Sequence, residues 1–433
     1  MTSPRYDESP EKKEGFRQGR RGEVVKVLML GWEFPPYFAG GVGVVCYELT
    51  KALAQRGVSV TYLMPSGPRA VHADFVNLLV ADNLVADSKI TLARVPSLMT
   101  PYGSMDSYRA DYQRLLGQTH GSSGKLYGHN LLAEIERFAE KAELLLPFLG
   151  DFDVIHAHDW TTFPAAMRLK KLTGKPLIVH VHITEFDKTG GHHADSRVYA
   201  IEKAGMDAAD IVITVSNLVR QRCINQYYTD ARKTRVIYNA VSAVEPSFEQ
   251  RFKISPDDKI VLFLGRVTLQ KGPDYFIEAA RKVLEVDPNV KFILAGTGDM
   301  LPRMIERAAD LGIGNKVLFP GFVNQAQGAQ LYKMADVFVM PSVSEPFGIV
   351  PLEAMSHGTP VIISKQSGIS EVLKHALKVD FWDVNDIANK IVAALTYATM
   401  HRELKQHGNV EVRRFNWENT AGEVQQLYQE LVG

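Results

Sequence analysis

The chain has 433 residues, 49 Lys+Arg balanced by 49 Asp+Glu, 45% hydrophobic residues and two cysteines. That length predicts two or three domains with cores of their own, and the hydrophobic content excludes a disordered chain. Net neutrality removes any whole-molecule attraction for nucleic acid or anionic lipid, so an anionic ligand needs a local cluster of positive charge.

Residues 1–22 are polar and charged with no apolar core, which predicts a flexible tail rather than a secretory signal. From residue 24 onward, short apolar runs alternate with longer amphipathic segments. Strand-length runs fall at 24–30, 58–64, 154–156, 177–181, 211–215 and 235–238, and helical spacing at 42–56, 131–146 and 201–208. The strands are continuously apolar rather than alternating, the mark of a parallel sheet covered on both faces. None approaches the roughly 20 apolar residues of a membrane span.

A segment of loop composition, Ser242 to Pro246, separates a second series. Strands are expected at 259–264, 290–295, 316–319, 337–340 and 361–364, and helices at 273–286, 300–311, 326–334 and 351–357. The fold class is therefore α/β: two doubly wound Rossmann-like domains with an interdomain cleft. The expected divisions are a tail at 1–22, an N-terminal domain at 23–243, a C-terminal domain at 244–415 and a final helix at 416–433.

Such domains suggest a dinucleotide, but the fingerprint is missing. The first strand runs into Gly31, Trp32, Glu33 and Phe34 before Gly40-Gly41-Val42-Gly43, the second ends without a carboxylate, and Gly296-Thr297-Gly298 has Leu301 where a third glycine belongs. Cys46 and Cys223 form no C-x-x-C, and the histidine pairs lack zinc-site spacing, so neither a disulfide framework nor a metal is expected. Two cysteines and no apolar leader predict a cytoplasmic location.

Four segments carry candidate chemistry. Glu345 to Met355 follows one strand and turns into a helix; the backbone N–H groups of Phe347, Gly348, Ile349 and Val350 form an anion site, Glu353 suits a ribose diol, and Glu345 faces the cleft. Arg266 and Lys271, on a glycine-bounded strand-to-helix loop, can neutralise a diphosphate. Gly40, Gly41 and Gly43 open a helix and let backbone approach a ligand. At the ends of two further strands, His156-Ala157-His158-Asp159-Trp160 and His180-Val181-His182 put alternate histidines on one face; His158, Asp159 and His182 are expected at the cleft. His192 and His193 receive no role.

These residues resemble the retaining, nucleotide-sugar-dependent glycosyltransferases of family 4, with the GT-B architecture, and among them the glycogen and starch synthase-like enzymes. The resemblance spans about residues 24–431 and rests on E-x7-E (Glu345, Glu353), on Gly265-Arg266 with Lys271, and on His158-Asp159-Trp160. It implies that Arg266 and Lys271 bind the donor diphosphate, with Gly40, Gly41, Gly43, Gly348, Ile349 and Val350 also on the donor side, and that Glu353 binds its ribose. Glu345 would lie by the transferred sugar and His182 would contact a sugar hydroxyl. Asp159 would orient donor sugar or acceptor, with His158 and Trp160 on the acceptor side. It further implies metal-independent hexosyl transfer, with glucose the expected sugar, from UDP-glucose or ADP-glucose to a carbohydrate acceptor, foremost an α-glucan. No cofactor and no nucleic-acid partner are expected. One departure stands out: bacterial ADP-glucose-dependent synthases carry K-T-G-G-L-A-D-V where this chain has Phe38-Ala39-Gly40-Gly41-Val42-Gly43-Val44-Val45. The alternatives are a family 4 enzyme building a lipid-linked or cell-envelope glycan, with Arg220, Arg222, Arg232, Lys233 and Arg235 as a membrane-facing patch, and a non-catalytic sugar-nucleotide binding protein.

Overall fold

The computed structural model describes residues 24–35, 41–66, 73–87, 131–189, 194–242 and 258–433. The expected tail, Gly40, the loop histidines His192 and His193, and the division near residue 243 lie outside these.

The first unit runs β1 (Lys26–Leu30), α1 (Gly41–Gln55), β2 (Ser59–Met64), β3 (Asn77–Val80), α2 (Ala81–Asp87), α3 (Leu131–Leu144), β4 (Val154–His158), α4 (Phe163–Thr173), β5 (Leu177–Val181), α5 (Glu185–Lys188), α6 (Ser196–Ala208), β6 (Ile211–Thr214), α7 (Asn217–Tyr227) and β7 (Thr234–Val236). Its seven strands are parallel in the order β3-β2-β1-β4-β5-β6-β7. Every residue of β4, β5 and β6 is buried, the polar His156, His158, His180 and Thr214 included, which is why these segments do not alternate between an apolar and a solvated face. Side-chain caps set two helix starts that the apolar spacing did not: Asp195 accepts from the N–H of Arg197 at the start of α6, ahead of the expected 201–208, and Ser216 from that of Val219 at the start of α7, a helix not expected from spacing.

The second unit runs β8 (Ile260–Leu264), α8 (Pro273–Val286), β9 (Lys291–Ala295), α9 (Leu301–Asp310), β10 (Val317–Gly321), α10 (Gln325–Met334), β11 (Val337–Met340), α11 (Ile349–Ser356), β12 (Val361–Ser364), β13 (Leu377–Val379), α12 (Val384–Thr396) and α13 (Ala398–Val412). Its order, β10-β9-β8-β11-β12-β13, repeats the doubly wound pattern. In each sheet the order reverses beside the first strand, between β1 and β4 and between β8 and β11. Such a reversal opens a crevice at the carboxyl ends of the strands. The loops there carry Gly31 to Pro35 and Asp159 in one unit, with Gly41 at the head of α1, and Gly265 to Gly272 and Pro341 to Gly348 in the other.

The last helix, α14 (Trp417–Val432), returns to the first unit and packs on α1. Arg56 Nε donates to Gln425 Oε1 at 2.9 Å, and Trp417, Val424, Leu427 and Tyr428 join the core that holds Val27, Met29 and Leu53. Among the described residues no helix is long and apolar enough to cross a membrane. Both cysteines are buried free thiols.

Candidate active site

The two crevices face each other and enclose one cavity. Gly41, Val42, His182 and Asn239 line it from the first unit; Gly265, Arg266, Gln270, Lys271, Ser342, Glu345 and Gly348 to Val350 line it from the second. Each group comes from the end of a strand, so the sheets fix the floor while the loops supply the chemistry.

On the second unit's side, Lys271 Nζ lies 2.5 Å from Glu345 Oε2, and Ser342 Oγ donates to the same oxygen at 3.3 Å. The backbone of Glu345 is fastened as well, its N–H donating to Gln366 O and its carbonyl accepting from Gly368 N. The pair thus occupies one geometry and compensates its own charge within a half-buried wall. Helix α11 begins immediately above it. Gly348, at φ +108°, supplies no side-chain cap, so the first N–H groups of α11 are left for a ligand at the positive end of the helix dipole. A side chain here would strain the backbone, and its Cβ would sit 3.0 Å from Ile369 Cγ2.

The Arg266 loop is set by a second turn. Val267 N donates to Thr297 O and Gly265 N to Ala295 O; a Cβ on Gly296 would lie 1.8 Å from Gly265 O. The Gly-Thr-Gly turn is therefore the backbone bed for the Arg266 loop, which explains its glycines without a dinucleotide. Arg266 reaches Gln270 Oε1 at 3.4 Å, and Gln270 Nε2 donates to Ser344 O at 3.0 Å, joining this loop to the one bearing Glu345.

Glu353 stands apart from the cavity lining. Its carboxylate accepts from the Tyr332 hydroxyl at 2.8 Å, and burial raises its pKa against the opposing effect of that bond. It lies one helical turn below Ile349 and Val350, which do line the cavity.

On the first unit's side the structure separates what the sequence grouped. His182 lines the cavity, but His158 is 1% and Trp160 3% exposed, both in the core rather than on the cleft wall. Asp159 is also buried; it adopts φ +58° and its Oδ1 accepts from the N–H of His182 at 2.7 Å and of Ile183 at 3.3 Å, so it shapes the His182 turn from behind. His158 Nδ1 bonds His182 Nε2 at 2.8 Å. Burial lowers the pKa of His158 to about 3 and that of His182 well below the usual histidine value, leaving both neutral. Gly41 lines the cavity, whereas Gly43 is buried inside α1.

Asn239, Gln270 and Ser342 were passed over in the sequence because uncharged polar residues carry no pattern; only their place just after a strand, or inside the Arg266 loop, could have flagged them. The cross-cleft ties were equally invisible. Arg222 pairs with Asp187 and donates to Ser344 Oγ at 3.3 Å, and Ser344 Oγ donates to Asp187 Oδ1 at 2.9 Å. Of the candidate membrane-facing cations, Arg222 faces the cleft, Arg232 is exposed and pairs with Asp230, and Lys233 donates to the carbonyls of Asp207 and Ala209.

Residues 39–244 match Glycosyltransferase Family 4 and residues 245–410 match Glycosyl transferases group 1. An uncharacterized glycosyltransferase of Methanocaldococcus jannaschii is 30% identical over 93% of this chain and 98% of its own length. Glycogen synthase of Mycobacterium tuberculosis is 24% identical over 93% and 94%. Among solved structures, sucrose-phosphate synthase from Thermosynechococcus elongatus superposes with a TM-score of 0.74 at 23% identity, covering 94% of this chain and 99% of that one. Two facing doubly wound units, a cationic loop opposite a helix N-terminus, and these matches along nearly the whole chain lead to one conclusion: the protein belongs to the family 4 glycosyltransferases of GT-B architecture.

Proposed function

We propose that the enzyme transfers a hexose, glucose in the first instance, from a nucleoside diphosphate sugar to a carbohydrate hydroxyl, with an α-glucan as the leading acceptor, and that the anomeric configuration is retained. The observation that carries this reading is the convergence of Arg266, Lys271 and the uncapped N-terminus of α11 on one cavity whose opposite wall holds His182. That arrangement matches a ligand with a diphosphate at one end and a neutral polyol at the other. The glycogen synthase relative, similar over 93% of this chain, favours a glucan acceptor.

In this reading the acceptor oxygen attacks the anomeric carbon from the face that the diphosphate leaves. The carbon–phosphate-oxygen bond breaks as the new glycosidic bond forms, and the acceptor proton passes to the departing phosphate. Arg266 and Lys271 hold the charge that builds on the leaving group, and the dipole of α11 adds to it. Lys271 would exchange part of its contact with Glu345 for the diphosphate, freeing the carboxylate to hold the sugar. His182, neutral by burial and backed by His158, would meet a sugar hydroxyl as a hydrogen-bonding partner. Glu353, one turn into α11, would reach the ribose. Most of the rate gain would come from positioning in the closed cleft, and no protein nucleophile or metal is called upon.

The test is a thermal-shift panel of UDP-, ADP- and GDP-hexoses, followed by product analysis with maltooligosaccharide acceptors. A donor present at about 100 times its Kd should add roughly 2.7 kcal/mol of stability. If no nucleotide sugar shifts the melting temperature and none is hydrolysed or transferred, the reading fails.

A further inference from the structure

Behind His182 the first unit contains a cluster that sugar transfer leaves largely unexplained. His156 and His158 on β4, His180 on β5 and His182 just past its end all project from one face of the sheet, because alternate residues share a face and His158 pairs in register with His180. Their rings form a packed array. Centroids are 4.4 Å apart for His156–His158, 5.1 Å for His158–His180 and 5.5 Å for His156–His180. Four imidazoles at 0–5% exposure are a costly interior unless their nitrogens are satisfied. Among the described residues His156 Nε2, His158 Nε2 and both ring nitrogens of His180 find no hydrogen-bond partner.

The nitrogens that are bonded form a pattern. His156 Nδ1 bonds the Tyr428 hydroxyl at 2.6 Å, and His158 Nδ1 bonds His182 Nε2 at 2.8 Å. His156 and His158 are thus each oriented through one nitrogen with the other left over, the arrangement typical of histidines that ligate a metal, while His180 is held by stacking alone and keeps both nitrogens available. One nitrogen from each of His156, His158 and His180 lies within 4.8 Å of the others. A tetrahedral ion with Zn–N bonds of about 2.0–2.1 Å needs its ligand atoms roughly 3.4 Å apart. Closing that gap requires the stacked rings to rotate toward a common point. Two alternate residues on one strand plus a registered neighbour on the next give three ligands and an open fourth position, and an all-imidazole set suits zinc or a neighbouring borderline ion rather than magnesium or calcium. Asp159, buried and next in the chain after His158, places an anionic group at the same strand ends.

We propose that His156, His158 and His180 form a buried site for a divalent ion of the zinc class, which fastens the ends of β4 and β5 beneath the His182 turn. The site lies directly behind His182, to which His158 bonds, and its existence does not depend on the proposed donor or acceptor.

Full-length protein, stripped with a chelator and then dialysed against Zn2+ or Co2+ at neutral pH, provides the test. One ion per chain should survive dialysis, Co2+ should show the visible bands of a tetrahedral site, and the unfolding midpoint should rise. His156→Asn and His180→Asn should each weaken binding at least tenfold. A double variant at a surface pair that also stacks, His375→Asn with His407→Asn, should bind as the wild type does. Should the buried variants fail to fold, spectra of wild-type protein carrying 15N-labelled histidine decide, since Zn2+ must shift the buried ring nitrogens. Failure to retain an ion, loss of the ion in the surface variant alone, or unshifted buried rings would each overturn the proposal.

Discussion

The hydroxyl of Ser216, at the head of α7 in the first unit, donates to the carbonyl of Pro346 in the second at 2.6 Å. Pro346 directly follows Glu345, so a residue of one sheet holds the loop that carries the other sheet's carboxylate. Next to it, Glu371 accepts from the N–H groups of Asn217 at 2.9 Å and Leu218 at 2.6 Å, completing the cap of α7 from across the cleft. Together with Arg222, Asp187 and Ser344, these contacts form a latch between the units beside the cavity.

Glu371→Ala should loosen that latch without touching a substrate group. A charged hydrogen bond to a helix terminus, discounted because Glu371 is exposed, contributes about 1 kcal/mol. Steady-state kinetics should show kcat lowered about five- to tenfold with donor KM within about twofold, and small-angle scattering should show a more open molecule. Unchanged kcat together with an unchanged scattering profile would mean that the contact plays no part in closure.

Lys271→Ala leaves Glu345 in its half-buried wall without an ammonium and removes one of the cavity's cations. The expected result is at least a hundredfold fall in transfer rate, on the scale of losing one stabilising group at a developing charge, and loss of the donor-induced melting shift. Lys271→Arg should recover part of the donor shift but little of the rate, because a planar fork cannot reproduce a point contact at 2.5 Å. Equal rates for the alanine and wild-type proteins would refute the assignment.

Gly348→Ala forces a side chain into φ +108° beside Ile369. The strain should cost about 1–3 kcal/mol of stability, read from urea unfolding, and should tilt the first N–H groups of α11 enough to weaken donor binding.

Glu202 gives the protein a pH-dependent term far from the cavity. Burial raises its pKa to about 8 despite the Tyr227 hydroxyl and the Glu185 N–H that it accepts from. Between the ordinary glutamate value near 4.5 and about 8, the unfolded chain has released this proton while the folded chain keeps it. The folded state binds more protons, so stability falls as pH rises through that window. Urea midpoints measured from pH 5 to 8 should therefore carry a declining component that Glu202→Gln removes. A variant whose pH profile parallels the wild type would count against it.

Much of this was readable in the sequence, for local reasons. Residues 260–264 and 337–340 are unbroken apolar runs because both faces of a central parallel strand are covered. The Arg266 loop and the E-x7-E segment each lie within a dozen residues, so spacing alone placed them together. What escaped depended on distant chain. β13 is three residues of edge strand, Leu377–Val379, too short to show a period. Alternation put His156 and His158 on one face but could not say that α14 would cover it, since Tyr428, which bonds His156, lies 272 positions away. For that reason His158 read as a cleft residue and is a buried one; Trp160, read on the acceptor side, is buried too, but in the core on the other face of the sheet.

The return of α14 also bears on how the protein is made. Trp417, Val424, Leu427 and Tyr428 fill the core of the first unit, yet they leave the ribosome after the whole second unit. At about 5–20 residues per second, the first sheet waits roughly 10–35 s for the helix that finishes it. During that interval the face of α1 and the histidine array lie bare, so the nascent first unit is a natural client for a chaperone, and the second unit can reach its final packing before the one that was begun earlier.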